Sequence, residues 1–532
     1  MDAEEFKGAA NDTVDYIINY YKNIRDHNVF SQVEPGYLRK ILPPSAPVDG
    51  EPWDLIAKDF DTKILPGITH WQSPDFFAYF PCTSSYPSIL GELYNAAFTG
   101  TCFNWHASPA ATELETIVMD WLAQLMGLPS VYLSTGPTRG GGVIQGTASE
   151  AVLTVMIAAR DKYLKETLPD PSTVTEEGFE DLSMRKRSRL VALGSTAVHS
   201  CTRKAAKILG VRYAAIPVSS ETNFAVTGDA LAKTLEMCKS RGWEPFYLTS
   251  TLGTTDTCAV DHFGATAEVL AEWSKDFPIS ESTSGIFPND DSRTDGNKKV
   301  GLPIRKKGEI WVHVDAAYAG AALVTPEAQA AVQVHHLRHF HSFDVNMHKW
   351  LLVNFDASCL FVTDRHWLVE AMSSEMQVYQ NKGTDGGLVT DYRNWGIPLG
   401  RRFRALKIWF VMRNYGAKGI QEYIRNGIRM ADQFADWLRG RPDLFEIATG
   451  PSFALTVFRI KDADGDENKM NLLTKRVYEE INATGKLWVT STMLERKFTI
   501  RFMTANRMTK ESHVRAGFEL IEKTAERLVK EK

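Results

Sequence analysis

Apolar positions near the start of the chain recur with helical spacing and then lose it. In NDTVDYIINYYKNIR, residues 11–25, Val14, Ile17, Ile18, Tyr21 and Ile24 fall on one stripe, which predicts a helix. Proline-rich text follows, including ILPPSAPVDGEPW, and aromatics crowd it: Trp53, Trp71, Phe76, Phe77, Tyr79 and Phe80. Residues 1–85 read as helices joined by extended loops, too irregular for a core of their own and suited to packing on another surface, such as a second subunit. A regular pattern begins near residue 105. SPAATELETIVMDWLAQLMGLP predicts a helix capped by Ser108, with Pro109 in its first turn and Gly127 and Pro129 at its end. Short apolar segments then alternate with helical ones; SRLVALGS, RYAAIPVS, PFYLTSTLG, EIWVHVDAAYAG and ASCLFVTD are the strands. Such alternation predicts a parallel sheet covered on both faces, a large α/β domain over residues 86–405. A polar run at about 278–308, rich in Gly, Ser and Asp, interrupts the rhythm as a surface insertion. From about Arg401 the pattern turns helical and then mixed, which predicts a small C-terminal α+β domain over residues 406–532.

Composition narrows the function classes. The 532 residues are 44% hydrophobic and 11% aromatic, as in a globular protein with large cores. A formal net charge of −5 gives no basic excess for nucleic acid. The six cysteines, Cys82, Cys102, Cys201, Cys238, Cys258 and Cys359, are scattered without CxxC or metal-ligand spacing. That predicts a reduced, intracellular chain with no metal site. The start, MDAEEFKGAA, lacks an apolar signal core, and no apolar run reaches the roughly 20 residues of a membrane span. The expectation is a soluble cytoplasmic protein.

Candidate chemistry lies in several places. In SFDVNMHKWLLVNF, residues 342–355, His348 and Lys349 precede a run too apolar for a surface loop. A lysine in an apolar pocket has a lowered pKa and becomes a nucleophile toward carbonyls; the commoner case is a covered stem with a solvated amine. In GGGVIQGTASEAVLTVMIAAR, Thr147 and Glu150 fit a capping box, and the open N–H groups of the helix start suit a phosphate. Asp315 closes the strand of EIWVHVDAAYAG, where α/β proteins place ligands; it meets a cation or donors there, or caps the next helix. His199, in STAVHSCTRKAA, follows another strand end and alone reads as a capping or core residue. A dinucleotide site would want an acid after the next strand, which ends VALGS instead. Together the parts are those of a pyridoxal 5′-phosphate (PLP) site. It needs a phosphate turn, an Asp to keep the pyridine nitrogen protonated, a His to stack and a Lys to hold the cofactor.

With these motifs in place, the chain resembles the group II PLP-dependent decarboxylases, and among them the aromatic-L-amino-acid decarboxylases. FFAYFPCTSSYPSILGELYNAAF, NWHASPAATELETIVMDWL, GGGVIQGTASEA, STLGTTDTC, WVHVDAAYAG, NMHKWLLVNFD and DYRNWGIPLGRRFRALKIWFVMRNYG carry the resemblance in order, from about residue 70 to about residue 416. It implies the aspartate-aminotransferase-like fold, fold type I, in which phosphate turn, His, Asp and Lys follow in that order. Carried over position by position, Lys349 holds the cofactor and Asp315 partners its ring nitrogen. Ala148, Ser149 and Asn346 hold the phosphate, Ala317 packs on the ring, His199 stacks over it, Thr251 lines it, and His348 stands beside the lysine. Trp71, Tyr79, Phe80 and Phe103 wall the substrate pocket. The resemblance further implies a homodimer with shared active sites, the N-terminal segment embracing the partner.

In the family a loop tyrosine protonates Cα after CO2 leaves. Here the loop is EMQVYQNKGTDGGLVTDYRNW and the residue Tyr379, one position from Val378, where an ungapped match falls. Related aldehyde synthases typically lose that tyrosine or the stacking histidine, so Tyr379 and His199 favour plain decarboxylation. An aminotransferase would want an arginine for the substrate carboxylate, and none is placed. Cys82 stands where animal relatives often have a threonine able to bond a ring hydroxyl. Gly400 matches a position where plant relatives with Gly take indolic substrates. Both tilt the expectation toward tryptophan and tryptamine, over tyrosine, phenylalanine and DOPA. His106 departs from the animal pattern, and no role follows for it.

Overall fold

The computed structural model describes residues 1–280, 302, 304–373, 390–462 and 464–531. They form two compact units, Ser84–Arg425, and Met1–Thr83 together with Asn426–Lys532.

The Ser84–Arg425 unit is built on a seven-stranded sheet: β1 (Gly141–Gln145), β2 (Leu190–Ser195), β3 (Arg212–Ile216), β4 (Glu244–Thr251), β5 (Trp311–Asp315), β6 (Ser342–Asn346) and β7 (Ser358–Val362). Their order is β1-β7-β6-β5-β4-β2-β3. The strands from β6 to β3 pair in parallel. β7 runs antiparallel to both β6 and β1, so the sheet is mixed rather than parallel throughout. The reason lies in the connection. Only residues 347–357 link β6 to β7, too few for the crossover a parallel return requires. Every residue of β1, β2, β5, β6 and β7 is buried, as expected of strands covered on both faces. One covering element is the helix Ala148–Thr167, whose Val152, Val155, Met156 and Ala159 pack in one cluster with Leu190, Phe246 and Trp311.

β1 and β6 are strands that periodicity did not predict. β1 begins in glycines, and packing demands one of them: a Cβ at Gly142 would collide with Met119 Cε and Phe361 Cδ1. Ser108 caps the helix Pro109–Leu125 as expected, its Oγ accepting the Ala111 N–H at 3.3 Å.

The second unit carries a four-stranded antiparallel sheet of β8 (Phe445–Ser452), β9 (Leu455–Ile460), β10 (Thr490–Leu494) and β11 (Lys497–Met503), ordered β10-β11-β9-β8. Its core holds Phe434, Phe458, Phe502 and Phe518, with the Phe434 and Phe502 rings stacked 4.0 Å apart. The N-terminal stretch joins this unit through Phe77, which donates its N–H to Trp488 O at 2.9 Å and stacks on Phe502. The first helix runs Ala3–Lys22 from a cap at Asp2, so it begins before the amphipathic stripe; on that stripe Val14 stays exposed while Tyr21 and Ile24 are buried. The polar insertion is closed at its base, where Ile279 and Lys306 form a β-bridge. Among the described residues no helix is long and apolar enough to cross a membrane, and no cluster of His, Cys, Asp or Glu could hold a metal ion.

Candidate active site

Strands β4, β5 and β6 end side by side, and polar residues stand at their ends. In register, Thr251 pairs with Asp315 and Asp315 with Asp344. Paired positions of parallel strands share a face, so these side chains form a row; Asn346, two residues beyond Asp344, extends it. All are buried. Buried polar groups are normally partnered, yet Thr251 Oγ1 and Asn346 Oδ1 have no hydrogen-bond partner among the described residues. Asp315 Oδ1 accepts the Ala317 N–H at 3.1 Å, the capping role the sequence left open. Ala317 in turn accepts the Asn346 N–H at 3.0 Å, which ties the ends of β5 and β6 together.

Lys349 follows in the short helix Met347–Trp350. Its side chain is partly buried. Burial pushes its ammonium below the usual lysine value, against the opposing pull of Asp315 and Asp344. This environment matches the nucleophile better than the solvated amine. His348 braces the turn: its Nδ1 accepts the Ala357 N–H at 2.9 Å, and its ring meets Phe355 edge-on. Burial, helped by the charge of Lys349, pushes the His348 pKa down to about 4, so the ring is neutral with Nε2 protonated.

His199 is the N-cap of the helix Ser200–Ile208, its Nδ1 accepting the Cys201 N–H at 3.3 Å. The residue itself is exposed. Cys201, just behind it, is pushed up by burial and by the charges of Asp315 and Asp344, which places the start of this helix close to the aspartate row. Ala148 and Ser149 open the helix that follows β1; Ala148 is buried and Ser149 exposed. Thr147 accepts the Glu150 N–H at 3.3 Å, but the Glu150 carboxylate accepts from Gly146 at 3.0 Å, so the expected box is displaced by one residue. A Cβ at Gly146 would lie 3.0 Å from Glu150 Oε2 and 3.1 Å from Asp356 Oδ2, so a larger residue in that turn would push on both carboxylates.

The remaining sequence-derived residues fall in two groups. Phe103 and Gly400 belong to this unit and lie on neighbouring segments, joined where Cys102 N–H donates to Arg401 O at 3.0 Å. A Cβ at Gly400 would meet only Thr101 Cγ2, at 3.8 Å, so packing does not impose a glycine there. Trp71, Tyr79, Phe80 and Cys82 belong to the other unit. There Trp71 stacks on Tyr79 at 5.6 Å, Trp488 meets Tyr79 edge-on at 5.1 Å, and the Arg501 guanidinium lies 5.3 Å from the Phe80 ring centre. Tyr79 holds φ at +49°, a strained value for a bulky residue. Cys82 O accepts from the Gln72 side-chain amide. Tyr379 lies outside the described residues. The sequence reading missed Asp344, His313, Trp488 and Arg501. For Asp344 the signal was present, in the alternation of Ser342, Asp344 and Asn346.

Residues 35–461 match the pyridoxal-dependent decarboxylase conserved domain. The chain is 38% identical over 528 residues to tyrosine decarboxylase 2 of Narcissus pseudonarcissus, covering 99% of this chain and 95% of that one. It is 39% identical over 532 residues to phenylacetaldehyde synthase of Arabidopsis thaliana, covering 99% and 97%. A crystal structure of Oryza sativa TDC with PLP and tryptamine matches it with a TM-score of 0.86 at 34% identity, over 99% of both chains. Fold and strand-end site together define a PLP-dependent enzyme of fold type I. The chain belongs to the pyridoxal-dependent decarboxylase family and is a PLP-dependent carboxy-lyase. The residues present fit the cofactor. Thr251 Oγ1 and Asn346 Oδ1 lack partners that a ligand would supply, Asp315 offers a carboxylate to a ring nitrogen, and Lys349 offers an amine with a lowered pKa.

Proposed function

We propose that this chain converts an aromatic L-amino acid to the arylalkylamine and CO2, with tryptophan preferred over tyrosine, phenylalanine and DOPA. The observation that carries the reading is the buried strand-end row beside Lys349, with polar atoms left for a ligand. Lys349 holds the cofactor, and the Asp315 carboxylate accepts a hydrogen bond from its protonated ring nitrogen. Ala148 and Ser149, at the helix start, bind its phosphate together with Asn346 at the end of β6. Thr251 and Ala317 flank the ring, His199 stacks on it from the cap of its own helix, and His348 holds the lysine turn. Bound there, PLP supplies an electron sink for the pair left when CO2 departs. Asp315 keeps that sink positive, and Tyr379 delivers the proton to Cα.

The preference for an indole rests on four residues. The stacked Trp71 and Tyr79 offer flat apolar faces. Cys82 is a poor partner for a ring hydroxyl. Gly400 is a glycine that packing does not require, which leaves room for a larger ring. The same reading makes the enzyme a homodimer with shared sites. Phe6, Val14, Trp53, Leu55 and Ile56 are exposed on the N-terminal stretch, apolar surface that a second copy would cover.

The test is a product screen of the purified protein across the aromatic amino acids, reading amine, aldehyde and peroxide. Tryptamine from tryptophan should show the highest kcat/KM; a much higher value for DOPA overturns the preference. The identity to a phenylacetaldehyde synthase keeps a second product in view. Tyr379→Phe should shift products toward aldehyde, ammonia and peroxide, and an unchanged amine yield without peroxide counts against the role given to Tyr379.

A further inference from the structure

Asp344 is the member of the row that the proposed function leaves unused. It has no solvent exposure, and neither carboxylate oxygen has a hydrogen-bond partner among the described residues. A close polar neighbour is His313: Nε2 lies 3.2 Å from Oδ1, near but not aligned as a hydrogen bond. His313 is fully buried on β5, two residues before Asp315 and on the same face. Its Nδ1 is 2.9 Å from Ser342 Oγ, and that oxygen already accepts the Trp311 indole N–H at 2.8 Å. The hydroxyl keeps its proton to donate to Nδ1, and in that tautomer the ring proton sits on Nε2, toward Asp344. A chain of Trp311, Ser342 and His313 thus ends on a carboxylate beside Asp315.

The titratable groups around Asp344 come from every side. They are His313 and Asp315 on β5, Lys349 on the short helix, Cys201 at the start of the helix Ser200–Ile208, Tyr247 on β4 and Cys359 on β7. Burial pushes the Asp344 carboxyl up to about 6; Asp315 adds to the rise, while His313 and Lys349 oppose it. The group is therefore ionised in neutral solution and neutral in mild acid.

We propose that Asp344 and His313 form a positioning pair behind Asp315. Asp344 carries a second negative charge that strengthens the hold of Asp315 on the ring-nitrogen proton of bound PLP, and His313 keeps that charge in place. The proposal rests on Asp315 being the ring-nitrogen partner. It predicts that cofactor affinity falls as pH drops through about 6.

The test uses the holoenzyme and the variants Asp344→Asn, His313→Gln and Asp315→Asn, with two readouts besides activity. One is the carboxylic-acid stretch in pH-difference infrared spectra. The other is the equilibrium dissociation constant for PLP at pH values on either side of the transition. The wild type should show an acid band titrating near pH 6. Asp344→Asn should remove it, and His313→Gln should move it to higher pH. At alkaline pH, Asp344→Asn should weaken PLP binding about tenfold, the order expected for neighbouring charges at an effective protein dielectric, and the difference should vanish in acid. A band that persists in Asp344→Asn, or wild-type affinity at both pH values, overturns the proposal. If Asp344→Asn does not fold, His313→Gln decides: an unmoved band overturns the pair. Wild-type affinity in Asp315→Asn overturns the underlying reading of Asp315; weakened affinity there, with Asp344→Asn unchanged, overturns this proposal alone.

Discussion

Replacing Arg401 should loosen the strand that leads into the phosphate turn. Its Nη1 donates to Glu115 Oε2 at 2.9 Å, and its Nη2 donates to Ile144 O at 2.8 Å. Glu115 Oε1 accepts the Ile144 N–H at 2.8 Å, so this pair clasps β1 by both polar groups of one residue. The guanidinium also lies 4.9 Å from the Tyr392 ring centre. The side chains of Arg401 and Glu115 are 8% and 4% exposed, so solvent screens the pair little. Arg401→Ala leaves a buried carboxylate without its cation, at a cost of about 3–5 kcal/mol. Glu115→Gln keeps an acceptor for the Ile144 N–H and should cost less, about 1–3 kcal/mol. The double variant Glu115→Gln, Arg401→Ala removes both charges and should recover at least about 1 kcal/mol of the summed single costs. Urea unfolding followed by tryptophan fluorescence gives the midpoints, and PLP affinity reports the phosphate turn. Loss of less than about 1 kcal/mol in Arg401→Ala, or strict additivity in the double variant, refutes the reasoning.

Three further outcomes can be measured directly. Lys349→Ala should fold normally yet lack the cofactor absorbance near roughly 420 nm and lose decarboxylation by at least about 10³-fold; retained absorbance removes Lys349 from its role. His348 has a folded pKa of about 4, below the unfolded value near 6.5, so the unfolded chain takes up the proton first as pH falls. Its contribution is complete above about pH 6.5 and is lost toward pH 4, about 3 kcal/mol in all; His348→Gln should flatten the urea midpoint across that window, and an identical slope refutes the assignment. Ser108→Ala should lower stability by about 1 kcal/mol through loss of the cap to Ala111, read from the same midpoints.

How much of this the sequence disclosed depended on what each residue had to satisfy. β2, β3, β4, β5 and β7 were legible because their interiors are apolar runs bounded by turn residues. β1 was not, because glycines carry no strand preference and are held there by Met119 and Phe361, side chains distant in sequence. β6 was hidden by its function: Ser342, Asp344 and Asn346 look like loop residues, yet all are buried on the face that builds the site. The antiparallel course of β7 follows from the length of the 347–357 link, which is visible in the sequence only once β6 is recognised as a strand. Lys349, Asp315 and His199 drew attention in the sequence because reactive residue types stood in a known order, and the structure places Asp315 in the buried strand-end row with Lys349 just after it. Asp344 stood in the same motif and went unread, because nothing local separates it from a solvated aspartate.

The row has a thermodynamic consequence that separates stability from cofactor binding. Asp344 has its pKa raised from 3.8 to about 6, so the folded chain holds that proton more tightly than the unfolded one. Between those values stability falls as pH rises, and above about 6 the full penalty is present, about 3 kcal/mol. Asp344→Asn removes the charge; an amide left without partners returns about 1–2 kcal/mol of the penalty. The apoprotein of this variant should therefore be more stable than wild type at pH 8 by about 1–2 kcal/mol, and the advantage should disappear by about pH 4. Saturating PLP works the other way, since a ligand bound only by the folded state adds about 2.7 kcal/mol at one hundred times its dissociation constant. At a fixed cofactor concentration the variant gains less from it, because its affinity is lower. Urea midpoints with and without PLP at the two pH values should thus cross between the proteins. A variant apoprotein less stable than wild type at pH 8 would show that Asp344 is a structural anchor rather than a charge held in place for the cofactor.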